Sequence, residues 1–279
     1  MATVTDLLVK PYQVILYDEP AASELKTSEI GSYIKGLLPN LQVKVRSSLV
    51  TSYLQEISPE KRESLLSQLA QGFAKLKIKS PLTREQNFPV LPGEVGYEQR
   101  RLASLRFTYG IIYQGEGAQR LMQGLLLSRE RNLSFLHIVF TNQLIGTWGE
   151  GRYHLRVAVY GIPNLISTTG LVEALAKPRE FYLLKQQYVG LGIPQGVAEL
   201  ERELGERVLR HGDPRVTEVM KGYVMQALFY HVTGDPFCED RSCRLYNAHW
   251  HEEAIAAQIG GTYQFCPRHE AILDQLRYD

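Results

Sequence analysis

Four residues near the end of the chain most constrain its fold, because together they form a complete set of metal ligands. Cys238 and Cys243 make a first pair, and Cys266 and His269 make a second, closer pair. Zinc prefers thiolate and imidazole, and its structural sites are closed tetrahedra of four such groups. Each pair lies on a short loop, so its two ligands converge with little loss of chain entropy. We predict that these four residues, the C-terminal cluster, bind one structural zinc ion.

The cysteine count supports this interpretation. The chain has three cysteines, all of them in the C-terminal cluster, and an odd number argues against a disulfide framework. The alternative is that the cysteines are small buried apolar side chains and that His269 lies near them by chance. That alternative does not explain why the rest of the chain has no cysteine.

The hydrophobic periodicity predicts alternating strands and helices. Strand-like patterns cover residues 12–17, 41–45, 105–113, 136–141 and 154–160, and helical patterns cover residues 25–38, 59–73, 117–127, 197–210 and 213–233. Between two of the strands, residues 141–152 are rich in Gly, Asn and Thr, which indicates a turn or an edge segment. The alternation favours an α/β (or α+β) architecture, a mixed sheet with flanking helices.

The chain of 279 residues is long enough for one large domain or two small ones. Several prolines and a glycine mark a loop or linker over residues 80–96. We predict an N-terminal region, residues 1–95, with a strand–helix–strand unit and a helical insertion. Residues 96–279 would form a second region that ends in the C-terminal cluster, unless both regions belong to one continuous domain.

Charge and hydropathy limit the classes of partner. The formal net charge is +1, so the chain as a whole has no electrostatic preference for nucleic acid. The first residues lack the features of a signal peptide, and no apolar stretch reaches membrane-spanning length. We expect a soluble, cytoplasmic protein with no membrane partner.

A second group of possible ligands lies between the two cluster pairs. If this stretch is extended, His249 and His251 fall on one face and could share a metal, with Glu252 or Glu253 as the base. If it is helical, the two histidines point about 200° apart and cannot. The other interpretation is a polar surface turn, because no third ligand is identified.

The tail also resembles a known family, the archaemetzincins. These are metzincin-type zinc peptidases with the motif HExxHxxGxxH followed at once by a cysteine, and then by a CxM segment and a CxxC pair. Their three histidines hold a catalytic zinc ion, and their four cysteines hold a structural one. Aligned without gaps on Cys238, His231 matches the middle histidine and Gly234 matches the glycine of the motif.

The resemblance extends to the structural ligands but not to the catalytic ones. Cys243 and Cys266 match cysteines of the CxM and CxxC segments, and His269 replaces the last cysteine. The resemblance therefore implies a metzincin-like fold with a C-terminal zinc knuckle.

The catalytic positions differ from the family motif. Ala227 stands in place of the first histidine, Leu228 in place of the general-base glutamate, and Phe237 in place of the third histidine. A single histidine cannot hold a catalytic zinc ion, and leucine cannot activate water. These departures put peptidase activity in doubt.

Three functional hypotheses follow. The first is an inactive relative of the zinc peptidases that acts as a binding or scaffold protein for a peptide, protein or small-molecule ligand in the former cleft beside His231. The second is an active metal-dependent hydrolase with a relocated site that uses His231, His249 and His251, with Glu252 or Glu253 as the base. The third is a nucleic-acid-binding zinc protein, against which the neutral overall charge argues.

Overall fold

The computed structural model describes residues 9–104, 110–193, 195–262 and 264–278. These residues form eight strands: β1 (Gln13–Tyr17), β2 (Gln42–Arg46), β3 (Ile112–Gln114), β4 (Phe135–Thr141), β5 (Leu144–Gly149), β6 (Arg152–Arg156), β7 (Ala158–Val159) and β8 (Asn164–Ser167). They also form eleven helices: α1 (Thr27–Leu37), α2 (Leu49–Glu56), α3 (Pro59–Lys75), α4 (Pro92–Ser104), α5 (Gly115–Gln123), α6 (Thr168–Glu173), α7 (Arg179–Gly190), α8 (Gln195–Glu203), α9 (Val216–Thr233), α10 (His251–Gln258) and α11 (Pro267–Tyr278).

A five-stranded sheet lies at the centre of the fold, in the order β2–β1–β4–β8–β7. The first four strands in this order are mutually parallel, and β7 runs antiparallel to β8 at the edge. A smaller sheet has the order β3–β5–β6. The predicted architecture, a mixed α/β fold with flanking helices, is confirmed.

The central sheet separates two hydrophobic cores. Successive side chains of a strand point to opposite faces, so Leu16 of β1 lies in one core and Ile15 in the other. The first core also contains α1, α9 and part of the C-terminal cluster. The second contains α3 and α5. The two faces of the sheet therefore carry different parts of the chain.

Helix α9 differs from a surface helix because it is apolar on nearly all sides. Thirteen of its eighteen residues are buried, as is typical of a helix enclosed by other elements. It ends at Gly234, whose φ of 78° lies in the left-handed region that favours glycine. This predicted helix end is confirmed, and it directs the chain towards Cys238.

Some element boundaries differ from the sequence prediction. Residues 144–149 form strand β5 and are not a turn, since they pair with both β3 and β6. The predicted strand over residues 154–160 divides between β6 and β7, which belong to different sheets. The predicted strand at 105–113 lies partly outside the described residues, and its described end forms β3.

The helices differ in a similar way. The predicted helix over residues 197–210 ends at Glu203. Helix α9 starts at Val216, after an Asp213 carboxylate that accepts a hydrogen bond from the Arg215 backbone N–H. None of the helices in the described part of the chain combines the length and the apolar character that a bilayer crossing requires.

Candidate metal centre

The C-terminal cluster is built from two short segments that the chain brings together after α9. Cys238 lies four residues past Gly234, and its backbone N–H donates to the carbonyl of Leu245, which turns the chain back on itself. Cys243 follows a tight turn, in which its N–H donates to the carbonyl of Asp240. The first ligand pair is thus held by backbone hydrogen bonds within its own loop.

The second pair is held by the start of α11. Cys266 stands immediately before Pro267, the first residue of the helix, and its carbonyl accepts the backbone N–H groups of His269 and Glu270. Proline suits this first position because it needs no N–H partner there. As a result, Cys266 and His269 lie within one helical turn of each other.

The ligand atoms of the cluster converge on one point. The Sγ atoms of the three cysteines and the Nδ1 atom of His269 all lie within 4.8 Å of one another. Cys238 Sγ lies 3.8 Å from Cys266 Sγ, and Cys243 Sγ lies 3.8 Å from His269 Nδ1. Four ligands at about 2.3 Å from a zinc ion would be about 3.8 Å apart. Cys266 Sγ and His269 Nδ1 are closer, at 3.0 Å.

The chemistry of the donor set also fits a structural ion. Cys243, Cys266 and His269 are buried and Cys238 is half-buried. Burial raises the pKa of the Cys238 thiol and raises the pKa of Cys243 to about 12. Burial also lowers the pKa of His269, which leaves its imidazole neutral and able to act as a ligand. A cation between the sulfur atoms would favour their thiolate forms, so metal binding would release protons.

The cluster is packed against the hydrophobic core. The ring of Phe229, on α9, meets the His269 ring edge-on at a centroid distance of 5.1 Å, and it also contacts the ring of Phe265. Cys243 and Cys266 belong to the same core as α1 and α9. The structure therefore brings together the four residues that the sequence pairs indicated, and their metal binding stays a prediction.

His231 lies apart from this cluster. Its Nε2 is 2.9 Å from the carbonyl oxygen of Leu133, so this nitrogen must carry the proton and donate it. Burial lowers the pKa of His231, and its ring is neutral near pH 7. Ala227 and Leu228, at the motif positions before it, are buried in the core.

His249 and His251 flank Trp250 in a short extended segment, but they have different surroundings. His249 is exposed, whereas His251 is fully buried at the start of α10. His251 Nδ1 accepts the backbone N–H of Leu209 at 3.1 Å, so its Nε2 carries the proton and donates to the carbonyl of Val172. A neutral imidazole with both nitrogens so engaged has no lone pair left for a metal.

The two candidate bases are also engaged. Glu252 forms a salt bridge with Arg207 at 2.6 Å. Glu253 Oε2 accepts the backbone N–H groups of His249 and Trp250, as part of the capping box of α10. Within the described ranges, the C-terminal cluster is the one grouping of three or more potential ligands. The structure does not bring His231, His249 and His251 together.

A small cavity of about 100 Å³ lies beside the C-terminal cluster, next to edge strand β7. Its lining includes Phe237, Tyr160, Tyr223 and His249. Ala227 does not line this cavity, because it points into the core and is fully buried. The cavity is also not lined by His231.

Two aromatic residues of this cavity, Tyr160 and Tyr223, were not identified from the sequence. Tyr160 follows β7, and its hydroxyl donates to Gln226 on α9 at 2.6 Å. Tyr223 lies one turn before Ala227 on the same helix. Neither residue belongs to a recognisable motif, so only the packing of α9 beside β7 reveals their common location.

Comparison with known proteins adds a family match. The sequence of residues 10–276 matches a protein family that is described as Probable metallopeptidase family (DUF6775). No curated protein sequence matches the chain. Among solved structures, the chain is similar to archaemetzincin from Methanopyrus kandleri with a TM-score of 0.44 and 10% identity, over 95% of each chain.

Proposed function

The chain belongs to the Probable metallopeptidase family (DUF6775), and from this premise we propose that it is a zinc-binding protein without peptidase activity. In this proposal one zinc ion binds Cys238, Cys243, Cys266 and His269. The ion stabilises the C-terminal segment and takes no part in bond cleavage. The segment in turn forms one wall of a binding cleft beside strand β7.

The closed ligand set is the observation that carries this proposal. Structural zinc sites use four protein ligands, whereas catalytic sites keep one position open for water or substrate. The C-terminal cluster supplies four ligand atoms that lie within 4.8 Å of one another. Soft thiolate ligands favour zinc over the hard cations Mg²⁺ and Ca²⁺. An ion held in this way has no free position at which to activate water.

The surroundings of the other candidate residues support an inactive site. His231 and His251 donate to backbone carbonyls, and Glu252 pairs with Arg207. Leu228, which stands in place of the general base of the archaemetzincin motif, is buried in the core and has no titratable group. Peptide hydrolysis by a metal requires both an open coordination position and a base.

The cleft beside β7 favours an extended peptide as the ligand. Strand β7 is the last strand of the sheet and pairs with β8 alone among the described strands, so its outer edge can accept a further strand. Next to this edge, Tyr160, Tyr223 and Phe237 line the cavity. Such a site would hold an apolar side chain of the bound segment.

Metal analysis combined with a peptidase assay tests the proposal. We expect one zinc ion per chain, its loss in Cys238→Ser and Cys266→Ser, and its retention in the neighbouring control Ser242→Ala. We also expect no cleavage of a mixed fluorogenic peptide library by the zinc-loaded protein.

The opposite result is equally specific. A second ion that is lost in His231→Ala or His249→Ala, together with peptide cleavage, would replace this proposal with an active hydrolase that has a relocated site. Retention of zinc in both cysteine variants would refute the assignment of the ligands.

A further inference from the structure

A second, larger cavity of about 290 Å³ lies away from the C-terminal cluster. It is bounded by β2, α2 and the segment before β4, and Tyr17, Leu49 and Leu125 of its lining belong to the core on the opposite side of the sheet from the cluster. Its remaining lining residues are mostly polar or charged: Lys44, Arg46, Ser47, Ser52, Tyr53, Gln55, Glu56, Leu127, Arg129 and Glu130. Its ligand should therefore be polar.

A partly buried ion pair lies in the lining of this cavity, with the Arg46 side chain 14% exposed and the Glu130 side chain 8% exposed. Arg46 donates from Nη1 and Nη2 to the two carboxylate oxygens of Glu130, each at 2.7 Å. Its Nη1 also lies 3.2 Å from the hydroxyl of Tyr17, which is 1% exposed. The ion pair holds the guanidinium in a fixed orientation, because the two parallel hydrogen bonds keep the planes of the guanidinium and the carboxylate aligned.

His137 determines the direction of the remaining hydrogen bonds. Its Nε2 lies 2.8 Å from the carbonyl oxygen of Glu130, so Nε2 carries the proton. Its Nδ1 is then an acceptor, and the Tyr17 hydroxyl donates to it across 3.2 Å. Burial lowers the pKa of His137 and raises the pKa of Tyr17 to about 12, which agrees with a neutral imidazole and a protonated phenol. The Tyr17 oxygen thus accepts from Arg46.

This arrangement leaves one side of the Arg46 guanidinium open. A guanidinium has five N–H donors, and three of them are directed to Glu130 and Tyr17. The other two, on Nε and Nη2, are parallel and form a second donor fork. No described residue accepts a hydrogen bond from Arg46 Nε, and the Arg46 side chain is 14% exposed.

The charges at the rim of the cavity favour an anion. Lys44 and Arg129 are exposed and form no salt bridge with any described residue. Glu56 is the opposing charge, since Glu130 is already paired with Arg46. The lining therefore has one unneutralised positive charge.

We propose that this cavity binds a small hydroxylated phosphate ester. Its phosphate would accept hydrogen bonds from the open donor fork of Arg46. Lys44 and Arg129 would add electrostatic attraction at the rim. The Gln55 amide and the lone pairs of the Ser52 hydroxyl, which itself donates to the Ser47 carbonyl, would bind the hydroxylated part. This site lies on the other face of the sheet from the C-terminal cluster and does not depend on the proposed zinc function.

Calorimetric titration with glycerol 3-phosphate tests this proposal. Glycerol and inorganic phosphate probe the two halves of the ligand separately, and glycerate is the analogue with a carboxylate in place of the phosphate. We expect binding of glycerol 3-phosphate in preference to glycerate, and no binding of glycerol. Lys44→Gln and Arg129→Gln should each weaken the binding by about fivefold. Arg46→Lys, which keeps the charge but removes the fork, should weaken it by about tenfold.

Lys35→Gln is the matched control, because Lys35 is also exposed but lies on α1, at the other face of the sheet. The melting temperature of each variant shows whether it is folded. If Arg46→Lys does not fold, the two rim variants, Lys44→Gln and Arg129→Gln, still test the proposal. The proposal is overturned if glycerol 3-phosphate does not bind, or if the rim variants bind it as tightly as Lys35→Gln does.

Discussion

The C-terminal cluster and the polar network of Arg46, Glu130, Tyr17 and His137 lie on opposite faces of one sheet and are stabilised in different ways. In the cluster, each pair of ligands comes from a single short loop. In the network, Arg46 and Glu130 are 84 residues apart, and Tyr17 and His137 are 120 residues apart. The polar groups of the network hydrogen-bond one another, whereas the cluster places four donor atoms around a common point. In our proposal an ion holds the cluster together, whereas the network depends only on the packing of the sheet.

Removal of the metal should lower the free energy of unfolding more than any other change considered. The loss of stability should be confined to the C-terminal cluster. A ligand that binds only the folded state at a thousandfold excess over its Kd adds about 4 kcal/mol to the free energy of unfolding. We expect thorough chelation, or Cys266→Ser, to remove a stabilisation of this order. Thermal unfolding measures the loss, and hydrogen exchange locates it.

The location decides whether the two regions are independent. Exchange should increase between residues 238 and 269 and remain slow in β1 and β4. An unchanged melting curve after chelation would show that the cluster has no structural role. Faster exchange in β1 as well would show that the regions are coupled through the core.

Substitution of Glu130 should destabilise the other region by a smaller amount. In Glu130→Gln the partly buried guanidinium of Arg46 loses its carboxylate, and a hydrogen bond to a charged group contributes about 1.5–3 kcal/mol. We expect a loss of about 2 kcal/mol in urea denaturation, with zinc content unchanged. Glu56→Gln is the control, because Glu56 lines the same cavity but is exposed. Equal losses in both variants would contradict a specific role for the ion pair.

The smallest effect concerns the entry of the chain into the cluster. Gly234 has a φ of 78° and no neighbouring atom within 4 Å of an added Cβ, so Gly234→Ala changes only the backbone energy. The left-handed conformation costs a residue with a side chain about 1 kcal/mol. Gly36→Ala, with equally open surroundings but a helical backbone in α1, should be neutral or stabilising. Comparison of the free energies of unfolding of the two variants measures this difference. An unchanged free energy of unfolding in Gly234→Ala would contradict the prediction.

Several features of the protein follow from local sequence alone. The alternation of strand and helix patterns predicted the mixed α/β fold, because hydrophobic periodicity reports which face of each element is buried. The paired Cys and His residues predicted which side chains come together at the C-terminus, since short loops leave their ends few alternatives. The end of α9 at Gly234 was also predicted, because glycine commonly follows the last residue of a helix. The role of these ligands in binding zinc, and the absence of peptidase activity, stay predictions.

Other features depend on contacts between distant residues. Whether His251 can bind a metal depends on Leu209 and Val172, which occupy both of its nitrogens. Residues 144–149 resemble a turn, yet they form a strand because β3 and β6 pair with both of its edges. The network around Arg46 is likewise assembled by parallel pairing of β1 with β2 and β4. The sequence by itself determined the mixed pattern of strands and helices and which nearby ligands meet. The tertiary structure decided which polar groups remain available for binding, because hydrogen-bond partners from remote segments are recruited only when the sheet and helices pack.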